Sequence, residues 1–292
     1  MGARDGDNRM IRIRFKAMIK DSFANKKVAI GLIIIFVLIM TSIFAGYIAP
    51  QNPSKMDILS PFQAPNVRFL LGTDNYGRDV LSRLIYGGRI SIIVGVGATV
   101  LGVILGIPLG LFSGYFGGIS DNVISRFLEV IMPFPTILIA ILITFAAGAS
   151  HWTVIIAIGI VLMPFFARLV RGNVYSIKEN QFVEAARGVG SSHLRVIFVH
   201  ILPHCAGPVI IMASLCVAFS ILTEAALSFL GLGVPPPTPT WGADLQAGIK
   251  YLEFAPWVTL APGFAIMVSV LGFNLIGDGL RDILHTEKSF IY

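Results

Sequence analysis

The sequence predicts an all-α, polytopic membrane protein with six transmembrane helices. Three observations carry this expectation. The 292 residues are 55% hydrophobic and only 13% charged, about half the charged share of an ordinary soluble domain. The apolar residues gather into runs of about 18–25 residues, the length that crosses a bilayer as a helix. Eight of the 22 basic residues precede the first run, as the positive-inside rule asks of a cytoplasmic flank. A chain this apolar would expose bare hydrocarbon to water, so lipid is its solvent for much of its length.

Residues 1–27 read as a cytoplasmic segment carrying Arg4, Arg9, Arg12, Arg14, Lys16, Lys20, Lys26 and Lys27. Their place beside a membrane helix favours an anchoring role over a nucleic-acid patch. The first span, residues 28–49, is uncharged. It is longer than the apolar core of a signal peptide and ends in Tyr47-Ile48-Ala49-Pro50 rather than a small-residue cleavage site, so it reads as a retained helix. Residues 50–89 form an extracytoplasmic segment. There Asp74 and Asp79 flank a glycine-containing turn, and either can cap the amphipathic stretch that follows. Arg78, Arg83 and Arg89 can meet lipid headgroups or a partner.

The core, residues 90–292, holds the remaining five spans: 90–112, 130–147, 152–169, 206–230 and 257–276. Gly102, Gly106 and Gly110 recur every four residues on the first of these. Such a stripe lets two helix backbones approach, within one subunit or between subunits. Pro133 and Pro135 fall near the start of span 130–147, where a first turn or a neighbouring helix can absorb the lost hydrogen bonds. Six spans place both termini on one side. With that side cytoplasmic, the inner segments hold sixteen Lys and Arg and the outer segments six, which supports N-in and C-in.

The inner loop, residues 170–203, shows helical spacing at Val174, Ile177, Phe182 and Ala185/Ala186. Gly188-Val189-Gly190 breaks it, and Ser191 or Ser192 can cap a second helix with the stripe Leu194, Ile197, Phe198, Ile201. A helix–turn–helix on the inner face results, either a membrane-surface hairpin or a docking element for a cytoplasmic partner. The outer loop, residues 231–256, carries Pro235-Pro236-Pro237-Thr238-Pro239, expected to be an extended, stiff rim.

Few polar residues approach the spans. Glu224 has a structural pairing role or a pathway role, since intramembrane acids default to a functional reading. Glu129 reads as structural, and Asp278, Arg281 and Asp282 sit at the inner end of the last span. His200 and His204 lie one helical turn apart, yet only Cys205 is near enough to add a ligand, fewer than a zinc site needs. Cys205 and Cys216 are too far apart along one helix for a disulfide and read as small hydrophobes. The sequence has no G-x4-G-K-[ST] phosphate loop, no G-x-S-x-G elbow and no H-E-x-x-H helix, so it offers no catalytic constellation and no metal site.

Glu184-Ala185-Ala186, then Gly190, then Leu202-Pro203 resemble the EAA signature of ABC importer permeases, in register on a predicted inner loop. His200 departs from the isoleucine common at that place. Gly72-Thr73-Asp74 with Gly77-Arg78-Asp79, the run 227–233, Pro235–Pro239 leading to Trp241-Gly242, and 273–275 with 277–282 resemble a narrower group: the second permease of dipeptide, oligopeptide and nickel importers. The resemblance covers residue 27 to the C-terminus. It implies a type I ABC importer permease fold in a bacterial inner membrane. It also implies a second homologous permease, two cytoplasmic ATPase subunits that bind ATP and Mg, an extracytoplasmic binding protein, and no cofactor on this chain. Glu184, Ala185, Ala186 and Gly190 would form the ATPase-coupling element. Peptides are the substrate it implies first and nickel or a metal chelate second. From another class, an ion-coupled secondary transporter stays open, and an intramembrane enzyme lacks a site.

Overall fold

A computed structural model describes residues 25–289, with side chains to residue 284. The basic residues from Arg4 to Lys20 lie outside the described residues. Among the described residues every regular element is a helix, and one isolated antiparallel bridge pairs Thr73 with Asp79.

Helix α1 (Lys26–Ile43) starts where the Asn25 side chain accepts from the Lys27 amide at 2.9 Å. It breaks at Phe44 and finishes as the single turn α2 (Ala45–Ile48). Val28, Gly31, Ile35 and Ser42 are buried along one face, while Ile33, Phe36 and Val37 are exposed, as a lipid-facing surface requires. Helix α3 (Val80–Phe116) is 37 residues long, or ~55 Å. It starts ten residues before the expected span because Asp79 caps it and its arginine-bearing first turns are buried by the loops around them. Gly117 and Gly118, at φ +64° and +53°, end it in a turn that other residues rarely adopt.

The expected continuous span at 130–147 is two helices, α4 (Gly118–Ile131) and α5 (Thr136–Ala147), bent by 82°. The break falls at Met132-Pro133-Phe134-Pro135. Each proline lacks a donor and disfavours helical backbone in the residue before it, so two in three positions end the helix. Alone, α5 reaches only ~18 Å. Among the described residues five helices are therefore long and apolar enough to cross a membrane, and six crossings result when α4 and α5 together make one.

Helix α6 (His151–Ile177), capped by Ser150, runs eight residues past the expected end. The short α7 (Gln181–Gly188) follows. The expected second loop helix and the fifth span are one helix, α8 (His193–Phe229), with π-helical geometry at Val196–Ile201. Pro203 cannot donate into the preceding turn, and the wider π turn accommodates it. Ser192 sits at the N-cap position of α8, but its hydroxyl makes no cap bond. The 234–240 segment turns at Pro236-Pro237 and bends on either side of it, so it does not run as a straight extended rim. It delivers Thr240 as the cap of α9 (Trp241–Gly248), and α10 (Trp257–Ser289) closes the fold.

Helices α3 and α6 form the spine. A Cβ on Gly102 would lie 2.8 Å from Leu162 Cβ, on Gly106 2.6 Å from the Met163 carbonyl, on Gly110 2.5 Å from the Ala167 carbonyl and on Gly114 2.7 Å from Val174 Cβ. The glycine stripe thus packs within the subunit, and it extends one turn further than the sequence suggests. At one end of the bundle, residues 50–79 fold over the starts of α3 and α10. There Phe62 packs edge-on to Tyr251 and Phe254 at 4.7 and 5.1 Å, and Trp257 donates its indole N–H to the Thr73 carbonyl. This is the cap end. The loop end carries residues 178–192.

Candidate coupling site

Helix α7 has one buried edge. Val183 and Ala186 enter the core beside Val196, Ile197 and Ile201 of α8, whereas Glu184, Ala185 and Gly190 are exposed. Of the expected apolar stripe on α8, Ile197 and Ile201 are buried, but Leu194 and Phe198 are exposed. The C-terminus of α7 is a Schellman motif: Ser191 N–H donates to the Ala186 carbonyl at 3.1 Å and Gly190 N–H to the Arg187 carbonyl at 2.9 Å. Gly190 sits at φ +80°, the left-handed position this stop requires. The expected residues therefore fall on one small element, with three presented outward and Ala186 seating it.

The element is held at both rims. The Arg187 guanidinium lies 4.8 Å above the Tyr115 ring, and the Tyr115 hydroxyl is 2.8 Å from His193 Nδ1. On the other rim the Phe182 ring stacks on His204 at 4.9 Å. The His204 Nδ1 is 2.8 Å from the His200 carbonyl.

Beneath it lies a polar hub that sequence reasoning missed. Asp121 of α4 accepts two hydrogen bonds from Arg171, Nε and Nη2 each at 2.7 Å, and one from the Tyr175 hydroxyl at 2.7 Å. Ser113 and Ser125 donate to the same carboxylate. Lys178 Nζ donates to the Gly114 carbonyl at 3.1 Å. A bidentate guanidinium and a phenol fix the carboxylate's geometry as well as its charge, so α3, α4 and α6 are tied together at the loop end. An acid just after a Gly-Gly turn was the only local signal.

Glu224, the pathway candidate, is fully buried. It accepts from Ser91 of α3 at 2.9 Å and from Ser228 at 2.7 Å. The Trp241 amide also reaches Ser91. Both carboxylate oxygens are used, so Glu224 joins α3, α8 and α9 and lines no open space in this chain. Glu129 is half-exposed and pairs with Arg126 at 3.4 Å. Lys27 and Asp282 pair at 2.8 Å and hold the start of α1 to α10.

At the cap end two of the three arginines expected at headgroups, Arg78 and Arg83, are buried instead, while Arg89 is exposed. Arg78 Nε meets Asp74 at 2.6 Å, and Arg83 binds Asp244 through two nitrogens and the Pro53 carbonyl through a third. Burial pushes the Asp244 carboxyl up from its ordinary value, and the Arg83 charge opposes that rise. Asp79 caps α3, accepting from the Ser82 amide at 2.8 Å; Asp74 accepts from the Tyr76 and Arg78 amides and caps no helix.

Residues 106–289 match the family described as binding-protein-dependent transport system inner membrane component. Residues 15–65 match the N-terminal transmembrane domain of oligopeptide transport permease C, so similarity begins upstream of residue 27. The chain is 44% identical to the dipeptide transport system permease protein DppC of Alkalihalophilus pseudofirmus, over 89% of this chain and 86% of that one. It is 42% identical to the di/tripeptide permease DppC of Pseudomonas aeruginosa, over 90% and 89%. It is 44% identical to the glutathione transport system permease GsiD of Salmonella typhimurium, over 86% and 83%. A chain of the inward-facing MetNI methionine ABC transporter superposes with a TM-score of 0.57 at 16% identity, over 69% of this chain and 96% of that one. The fold is thus that of a type I ABC importer permease. The chain belongs to the binding-protein-dependent transport system inner membrane component family, as a non-catalytic, multi-pass permease subunit of an ABC importer.

Proposed function

We propose that this chain is one of two homologous permeases forming the pathway of an ATP-driven peptide importer, and that α7 is its coupling helix. In this reading the loop end faces the cytoplasm, as do both termini. Two ATPase subunits, which bind ATP and Mg, dock on α7 and its counterpart. A binding protein delivers substrate to the cap end. ATP binding draws the ATPases together and rocks the helices as rigid bodies between inward-open and outward-open states.

One observation carries the coupling role: Glu184, Ala185 and Gly190 are exposed on a helix stopped by a Schellman turn and seated by Val183 and Ala186. Ala185 and Gly190 let a partner approach closely with little side-chain entropy to lose, and Glu184 offers a charge beside them. The peptide assignment rests on the names of the dipeptide and di/tripeptide relatives, with the glutathione relative pointing to a related substrate. In this reading Glu224 is a structural link between helices rather than a pathway group, which its bonds to Ser91 and Ser228 support.

The test is uptake by the complete complex in proteoliposomes, with dipeptides, tripeptides, longer peptides, glutathione and nickel in parallel. ATP-dependent uptake of peptides supports the proposal. Uptake of nickel alone would move the substrate assignment to metal. Uptake driven by an ion gradient without ATP would overturn the reading altogether.

A further inference from the structure

We propose that Tyr115 is a positioning residue for energy coupling: it joins the coupling loop to α3, so that displacement of the loop moves that helix. The proposal rests on the coupling reading of α7. Tyr115 lies in the last turn of α3 and is only 7% exposed. Its ring meets the loop on both sides of the Gly190 turn. Arg187, at the end of α7, stacks on its face at 4.8 Å. His193, which opens α8, is 2.8 Å from its hydroxyl. Phe116 packs edge-on against Tyr115 at 5.1 Å and lies 5.9 Å from the His193 ring. Glu184 and Ala185 lie on α7 just before Arg187, and Gly190 lies between Arg187 and His193, so displacement of this surface carries Tyr115 with it unless one or both contacts break.

What Tyr115 holds is stiff. The glycine contacts lock α3 to α6 along most of their length. Asp121 ties α3 and α6 to α4 at the same end. At the cap end α3 is fixed through Ser91 to Glu224 and through Arg83 to Asp244. A tightly packed unit passes displacement along its length instead of absorbing it. Tyr115 is thus the handle at the loop end of a strut that reaches the cap. The tyrosine uses both of its faculties: an aromatic face for a cation and a hydroxyl for the histidine.

The experiment uses the complete complex in proteoliposomes, with dialanine, or the peptide giving most uptake in the panel above, as the probe. It measures substrate transported per ATP hydrolysed. Tyr115→Phe keeps the ring for Arg187 and loses the hydroxyl, and the ratio should fall about fivefold. His193→Phe should match it, and the double variant should fall no further than either single one, as two ends of one contact require. Tyr115→Leu loses both anchors and should fall more than about tenfold. A purely structural role would lower thermal stability and leave the ratio intact. In parallel, Ala185→Cys is cross-linked to the ATPase in each background.

A preserved cross-link with a lowered ratio supports the proposal. A preserved cross-link with an unchanged ratio in Tyr115→Leu overturns it while leaving the coupling reading standing. If Tyr115→Leu does not assemble, a wild-type ratio in Tyr115→Phe overturns it equally. Failure of the cross-link with wild-type Tyr115 overturns the coupling reading, and the proposal with it.

Discussion

Replacing Gly106 with alanine should destabilise the protein, although alanine is the better helix former. In an exposed helix the exchange would gain ~1 kcal/mol. Here the new Cβ would lie 2.6 Å from the Met163 carbonyl, 2.7 Å from Phe166 Cβ and 3.0 Å from the Ala167 nitrogen. Two of these neighbours are backbone atoms and cannot rotate away. Ordinary contact begins near ~3.5 Å, so α3 and α6 must part by about 1 Å. That separation is felt at Gly102 and Gly110, whose contacts are equally close. Overpacking of this kind costs ~1–3 kcal/mol; set against the ~1 kcal/mol propensity gain, the net is a loss of up to ~2 kcal/mol. Valine, with two more methyls, should do worse. Gly172 is the internal control, since a Cβ there meets nothing within 4 Å. The assay is the unfolding midpoint of the full chain in detergent, followed by intrinsic fluorescence. The expected order of stability is Gly172→Ala at or above wild type, then Gly106→Ala, then Gly106→Val. Gly106→Ala at or above wild type would refute the close-packed account of the spine.

Other predictions follow the same logic. Arg83→Met leaves the buried Asp244 carboxylate without its partner, at a cost of ~3–5 kcal/mol; Arg83→Met with Asp244→Leu should recover most of it, read from the same midpoint. Gly190→Ala forces a left-handed alanine and should cost the α7 stop ~1–2 kcal/mol, with Gly190→Asn milder; hydrogen exchange of residues 181–192 measures this directly. Glu224→Gln should leave substrate preference unchanged in uptake competition, because that side chain links helices; a changed preference would restore its pathway role. Asp121→Ala should loosen the loop ends of α3, α4 and α6 together, seen as faster exchange in all three.

The sequence made the apolar runs, the glycine stripe and the loop signature legible because each is local: a run of one chemistry, a period of four, or a short motif in register. Helix ends were less legible. Arg83 lies within the first turns of α3 and Arg171 within α6, both beyond the expected spans 90–112 and 152–169, because acids distant in sequence, Asp244 and Asp121, neutralise them. The prolines at 133 and 135 were visible, but not that they would turn the chain by 82°, because a proline near a helix start is tolerated or disruptive according to what packs beside it. Pro203 hid the continuity of α8 for the opposite reason: the helix widened around it instead of stopping. Tyr115 and Asp121 had no sequence signal equal to their place at the site, since both gain their role from contacts with residues fifty or more positions away.

The coupling surface of α7 is the central claim, and a cross-link tests it most directly. Cys205 and Cys216 are buried, so a cysteine at exposed Ala185 is the accessible thiol among the described residues. In the assembled complex, Ala185→Cys should cross-link to an ATPase subunit carrying surface cysteines, and reduction should restore coupled transport. An intact complex in which Ala185→Cys forms no such cross-link, and in which Glu184→Arg and Gly190→Pro transport as wild type, would contradict the account.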